Sequence, residues 1–393
     1  ASEPSVSVGA DGTIFVAAPT GVIKYATRPQ DALQHLDKGI FQGAIWRSTD
    51  GGATFQHLAG LGPTPYHTVQ PGGGDSDIAI DQDGRIYVTD QFGLFTESVQ
   101  WSIDNGDTWQ GTAPASREAP VDRQWLTVDP DTPGHVYLHY NQQTNGLTVS
   151  ESKDGGATWS ARAVSEIVAP PGRGLALTGG WYGFSVNTRA GIVLIHTTDA
   201  GNTWTDLKLP VEVGVVEDFF PSTTADTNGT IYVSWMESAD NGTAVVYTFS
   251  KDRGLTWAPK RVAFEQPGYG TFSWGVAGDA GRLAFAWYGA PNPEKEWYLE
   301  SGIVLGADTD APERLQARVD PEPIRIGYPC QSGSTCTSGR ELGDFFEAAI
   351  GPDGKLVVSY VRVLSPEEGG RVLFVKQDAG PLLLEAAPTP WIV

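Results

Sequence analysis

Four short stretches repeat acidic side chains in closely similar contexts, three of them beside arginine or aromatic residues. They are Gly-Asp75-Ser-Asp77, Val-Asp122-Arg123-Gln-Trp125, Val-Glu217-Asp218-Phe-Phe and Leu-Gly-Asp344-Phe-Phe. Carboxyl groups gathered in one cavity can divide into a proton donor and a base, because their environments push their pKa values apart. Carboxylates at a recurring register also have a plainer use. They cap strand ends through backbone N–H groups and tie neighbouring elements together. A catalytic group is needed once and these recur, so repetition favours capping for the set as a whole. Glu3, Arg173 and Tyr269 fall at corresponding points and complete the group.

Metal chemistry has less to stand on. The six histidines are scattered, and no HExxH or similar pair occurs, although His135 and His139 share one face of an expected strand. Calcium suits clustered carboxylates better. Asp81-Gln-Asp83-Gly84 and Asp129-Pro-Asp131 resemble calcium loops but lack the remaining ligands, and tight hairpin turns account for them more simply. The metal content is left open: no cofactor is required, and Ca2+ is the ion the carboxylates would suit. Cys330 and Cys336, the two cysteines, close a short Gly/Ser loop and read as a disulfide of an exported protein. With Lys plus Arg 26 and Asp plus Glu 47, the net charge of −21 argues against a nucleic-acid partner. No apolar run reaches the roughly 20 residues of a membrane helix.

The elements that would position these groups are written in two repeats. The first is Ser/Thr-x-Asp-x-Gly-x-Thr-Trp/Phe, centred on Asp50, Asp104, Asp154, Asp199 and Asp252 and recurring about every 45 to 55 residues. Its Asp can accept bonds from the turn's own N–H groups and from the hydroxyl two residues earlier. Its Gly supplies a positive φ, and its aromatic ring plugs the space under the turn. The second repeat is a β-branched run, an Asp-Gly or Asn-Gly turn and another such run, as in Asp77-Ile-Ala-Ile…Gly84-Arg-Ile-Tyr-Val88. Together they build four-stranded units with no helical periodicity, which predicts an all-β chain folded as a β-propeller. Inner hairpins begin near residues 3, 74, 122, 173, 217, 270 and 342, giving about seven blades, with six as the alternative. The expected organisation is one toroidal domain over 1–393. It carries an insertion at 20–45 in the first blade and the disulfide loop 330–336 before the last.

The five Asp turns resemble the Asp-box (BNR) repeats of the sialidase-like propellers. That resemblance places the five aspartates in structural turns on the face opposite the ligand funnel. It implies a funnel lined by the starts of the inner strands: Glu3, Asp75, Asp77, Asp122, Arg123, Arg173, Glu217, Asp218, Tyr269 and Asp344. By the same resemblance a sialidase would need three arginines converging on a substrate carboxylate, a Tyr–Glu nucleophile pair and a carboxylic acid. The expected catalytic residues are then Asp75 or Asp77 as the acid and Tyr269 as the nucleophile, with Tyr328 an alternative. Arg123, Arg173, Arg340 and Asp344 would bind substrate, and Trp181, after a Gly-Gly turn, would offer an exposed sugar platform. The sequence departs from the family where an Arg-Ile-Pro motif should precede the first Asp turn; Arg325-Ile-Gly is the nearest match, at the wrong end of the chain. Two readings follow: an exported glycan-acting protein, a glycoside hydrolase on acidic or complex sugars, or a non-catalytic propeller that binds a glycan, peptide or protein. A secreted or cell-surface monomer is expected, its signal peptide already removed.

Overall fold

The computed structural model describes residues 3–19, 43–58, 74–92, 96–112, 115–116, 120–331, 336, 338–363 and 370–385. Most of the expected first-blade insertion, at residues 20–42, lies outside them, as do residues 332–335 of the disulfide loop.

Seven antiparallel sheets follow one another along the chain. Their inner strands are Ser5–Val8, Ser76–Ile80, Val121–Val128, Leu175–Leu177, Ser222–Ala225, Tyr269–Ala277 and Glu347–Ile350, close to the starts expected from the hairpins. Each inner strand touches the next, and the seventh touches the first, so the sheets close into a ring. This is a seven-bladed propeller. Blades 1 to 6 have at least four strands in sequence order, whereas blade 7 has three among the described residues. After its third strand the chain runs under blades 6 and 7. Leu383 there donates to the Gly354 carbonyl (2.7 Å) and accepts from the Asp279 N–H (2.8 Å).

The strands form where β-branched and aromatic residues can be covered on both faces by the adjoining blades. Ile14–Ala18 and Val136–Gln142 are buried throughout, while the outermost strand Glu313–Arg318 is exposed throughout. Flat aromatic layers fill the wedges between blades. Tyr137 stacks on Tyr182 between blades 3 and 4 at 4.2 Å, and Phe264 on Trp287 at 5.5 Å.

The five Asp turns share one set of bonds. In the first, Asp50 accepts from the Ser48 hydroxyl (2.8 Å), the Thr54 N–H (2.9 Å) and the Thr54 hydroxyl (2.6 Å). The Ser48 hydroxyl in turn accepts from the Gly52 N–H at 2.9 Å. With every donor aimed at the charged form, these bonds hold the Asp50, Asp104, Asp199 and Asp252 carboxyls down at about 2, and Asp154 is lowered likewise. The residue directly after each of the five aspartates is left-handed, as is the Gly that follows it, as at Asn105 (φ 59°) and Gly106 (φ 86°). The turns also stitch blades together: Arg85 of blade 2 donates to the Gly155 carbonyl of blade 3, and Arg47 of blade 1 to the Asn105 carbonyl of blade 2.

Candidate functional site

The inner strands all start on the face opposite the Asp turns. Three non-glycine residues there adopt left-handed backbone: Glu3 (φ 51°), Arg123 (φ 45°) and Phe272 (φ 57°). Such backbone is strained for a side chain with a Cβ and marks places where the surroundings over-determine the conformation.

The acidic residues at this face divide into two groups. In the first, a carboxylate reaches across to the next blade. Asp77 accepts from the Leu126 N–H (2.7 Å) and from the Ile78 N–H (2.8 Å). Asp218 accepts from the N–H groups of Met236 (2.7 Å) and Ser273 (2.9 Å). Glu347 accepts from the Val6 N–H (3.0 Å), closing blade 7 onto blade 1. These are inter-blade staples. Asp77, expected as a candidate acid, is fully buried with both oxygens occupied by backbone donors and is not placed to deliver a proton to a ligand.

The second group is an arc over blades 1, 2, 3 and 7. Asp75 lies at its centre. Glu3 shares a hydrogen bond with Asp75, accepts from the Asp344 N–H (2.9 Å) and sits 3.7 Å from Arg340. Burial, reinforced by the charges of Asp75 and Asp344, raises the Glu3 carboxyl well above its usual range. Glu97 and Asp122 are raised for the same reasons, burial first and Asp75 next. The arc thus contains carboxyls that keep a proton where an isolated one would have lost it. Glu97 carries no motif in the sequence; only its place at the start of a second-blade strand brings it here.

Across the ring, Tyr269 donates to Glu217 at 2.6 Å, and the Ser238 hydroxyl donates to the other Glu217 oxygen at 2.5 Å. Burial, then this bond, raises the Tyr269 hydroxyl far above its usual range. Tyr269 packs edge-on to Trp297 and beside Tyr328, with ring centroids 5.8 Å away in each case. Tyr328 is 44% exposed and leads into the Cys330–Cys336 disulfide. Gln331, inside that loop, brings its side-chain oxygen to 3.4 Å from the Tyr269 hydroxyl.

Between the two groups lies an aromatic floor. Trp125 meets Phe220, Trp274 and Phe345 at 5.7, 5.4 and 5.0 Å, four rings from four blades that block the central channel. The Arg123 guanidinium stacks on Trp125 (3.4 Å) and Phe345 (4.0 Å), and its nearest carboxylate is Asp75 at 3.9 Å.

The arginines do not converge. Arg340 grips Asp344 with both ends of its fork (2.7 and 2.6 Å). Arg173 lies on the other side of the floor, donating to Glu347 (3.0 Å) and to the Ile78 carbonyl (3.2 Å). Each guanidinium thus answers a different protein group, so the three-arginine clamp is not assembled. Trp181 is also not a platform. It starts the second strand of blade 4 at the Asp-turn end, is 1% exposed, and donates its indole N–H to the Arg253 carbonyl of blade 5 (3.2 Å). The Gly179-Gly180 turn folds the ring inward under that neighbouring turn.

The calcium-like loops are filled by protein donors. Asp81 accepts from the N–H groups of Asp83 and Arg85 and from the Tyr87 hydroxyl. Asp129 faces His135 at 2.6 Å. His139 is fully buried between the Gly172 carbonyl and the Tyr182 hydroxyl. Among the described residues no group of three or more His, Cys, Asp or Glu is arranged to hold a metal ion, and no helix is long and apolar enough to cross a membrane.

No family model matches the chain. One alignment, 30% identical over 142 positions and covering 33% of the chain, is to a xyloglucanase from a Paenibacillus species and spans 13% of that protein's length. The BP39L lectin from Burkholderia pseudomallei superposes over 97% of both chains with a TM-score of 0.65 and 12% identity. A PL25 ulvan lyase superposes over 95% of this chain and 94% of its own with a TM-score of 0.54 and 11% identity. The NanB sialidase from Streptococcus pneumoniae aligns over 95% of this chain and 67% of its own, with a TM-score of 0.47 and 12% identity. At these identities the likeness to the lectin and the lyase is one of fold.

Proposed function

We propose that this chain is an exported, glycan-acting propeller that hydrolyses glycosidic bonds in complex sugars at the face where its inner strands begin. The observation that carries the reading is the Tyr269–Glu217 hydrogen bond of 2.6 Å, on the same face as Glu3, whose carboxyl burial raises beside Asp75. In this mechanism Glu217 takes the phenolic proton as the Tyr269 oxygen attacks the anomeric carbon. The Glu3–Asp75 pair gives its proton to the departing oxygen, and the bond to the leaving sugar breaks. The pair, now a base, then takes a proton from water as water displaces Tyr269, and the phenol is regenerated. Tyr328, exposed beside Tyr269, supplies a ring for the pyranose C–H face. Because the arginines are engaged separately, the substrate is read by hydrogen bonds and stacking and not by a carboxylate clamp. The reading requires no cofactor, and the disulfide suits a secreted setting. A lectin and a polysaccharide lyase among the fold neighbours, and a xyloglucanase in the partial sequence match, are in keeping with a glycan ligand.

A non-catalytic glycan-binding propeller is the second reading, favoured by the degree to which Tyr269 is held as a neutral phenol. Hydrolysis of a panel of aryl glycosides, the sialoside included, separates the two. Turnover that falls by roughly 10²–10⁴-fold in both Tyr269→Phe and Glu217→Gln supports the enzyme. Silence across the panel, together with saturable glycan binding, would replace it with the binder.

A further inference from the structure

On the Asp-turn side of the aromatic floor the channel widens into a cavity of about 450 Å³. This is within the range of small-molecule sites and far more room than a single inorganic anion fills. At its inner end stands Arg173, which spans the channel from blade 4 to blades 2 and 7. Two of its five N–H donors are used on Glu347 and Ile78, and the 17% of the side chain left accessible borders this cavity. The walls carry the hydroxyls of Ser7 and Thr127 and a face of Trp274; the mouth carries Thr178, Lys251 and Arg253. Lys251 shares its charge with Asp308 (2.7 Å), and Arg253 donates to the Thr178 carbonyl (2.9 Å). One carboxylate, Asp226, is also in the wall. Its oxygens are taken up by the N–H groups of Asn228, Thr230 and Gly281 and by the Tyr232 hydroxyl.

The lining holds three cations and one carboxylate, and two of the cations are paired behind it, Arg173 with Glu347 and Lys251 with Asp308, so the feature that singles the pocket out is the guanidinium edge of Arg173. The pocket's hydroxyl donors and single indole face suit a ring bearing several hydroxyl groups, and its blind end offers a guanidinium edge for a carboxylate. We infer that this cavity is a second ligand site, taking a monosaccharide-sized hydroxylated carboxylate, a sugar acid, with its carboxylate on Arg173. The aromatic floor separates it from the face proposed for hydrolysis, so the two sites bind independently.

The test is calorimetric titration of the full chain with D-glucuronate, alongside D-glucose and sodium sulfate at matched ionic strength. Saturable glucuronate binding at least 10-fold tighter than either control is expected. Arg173→Lys, which keeps a positive charge beside Glu347 but removes the fork, should weaken it 10-fold or more. Thr178→Trp, at an exposed mouth position, should block it without touching the core, and Glu3→Gln and Tyr269→Phe on the opposite face should leave it unchanged. Equal affinity for glucose or sulfate, no saturable glucuronate binding, or affinity unmoved by Thr178→Trp would each overturn the assignment. If Arg173→Lys does not fold, Thr178→Trp alone decides.

Discussion

His135 offers the sharpest quantitative test of the frame that carries both faces. Its ring lies between Asp129 (2.6 Å from Nδ1) and Glu151 (2.6 Å from Nε2), tying the turn before blade 3's second strand to its third strand. Burial alone would depress the imidazole. The two carboxylate bonds outweigh it and raise the group from 6.5 to about 9. A folded-state value above the unfolded one means the stabilisation is fully present below about pH 6.5 and is lost as pH rises through about 9. A rise from 6.5 to about 9 corresponds to roughly 3 kcal/mol. Glu151 is 26% exposed and also pairs with Lys153, so solvent screening reduces the expectation to about 2 kcal/mol. Urea unfolding of the protein and of His135→Gln at pH 6, 7.5, 9 and 10 measures it. Asp218, raised to about 6, and Asp90, raised to about 7, both by burial, titrate in overlapping ranges. Their contributions are common to the two proteins and cancel in the difference. The stability gap should be largest at pH 6 and shrink by about 2 kcal/mol by pH 10. A gap that stays flat, or a His135 C–H resonance titrating near 6.5, would refute the argument.

Other outcomes follow from the same geometry. Asp154→Ala removes the acceptor of three turn bonds and should cost about 1–2 kcal/mol in urea unfolding, with Asp154→Asn intermediate. Trp125→Ala opens the floor and leaves Phe220, Trp274 and Phe345 without their shared partner; a loss of about 3–5 kcal/mol is expected by the same assay. If the Glu3–Asp75 pair is the proton donor, Glu3→Gln should abolish or shift the alkaline limb of the pH–rate profile, since Glu3 holds its proton above the usual carboxylate range. Replacing Cys330 and Cys336 by Ser opens a short loop at a cost of about 2 kcal/mol. It should raise KM more than it lowers kcat, because Tyr328 and Gln331 lose their anchor beside Tyr269.

What could be read from the sequence tracks how far apart the partners lie. Each Asp turn is complete within eight residues: Asp50 finds Ser48 and Thr54, so residue type and spacing suffice. The blade starts are similarly local, since a hairpin turn announces its own two strands. The fate of each rim carboxylate is decided at long range. Asp77 meets Leu126, 49 residues on, and Glu347 meets Val6, 341 residues back. Near-identical words therefore diverge. In Glu217-Asp218-Phe-Phe the second acid is the staple, whereas in Gly-Asp344-Phe-Phe-Glu347 Asp344 pairs with Arg340 and the staple is Glu347. Trp181 and Arg173 were misplaced for the same reason. Trp181 begins a second strand, which starts at the Asp-turn end, whereas Arg173 precedes an inner strand and is drawn below the floor by partners on blades 2 and 7.

The aromatic floor gives the molecule its functional logic. An open channel would let a ligand and its charge be shared between the two faces, and the Arg173–Glu347 pair would answer to the acidic arc above it. Four rings from four blades fill this position, and the Trp125 indole N–H is spent on the Pro171 carbonyl (2.6 Å), so that ring offers no free donor to a relay along the axis. Above it, carboxyls crowd around Asp75 and burial raises those of Glu3 and Glu97; below it, a guanidinium faces a cavity whose one lining carboxylate, Asp226, is held by protein donors. Trp125 and its partners therefore do more than fill space.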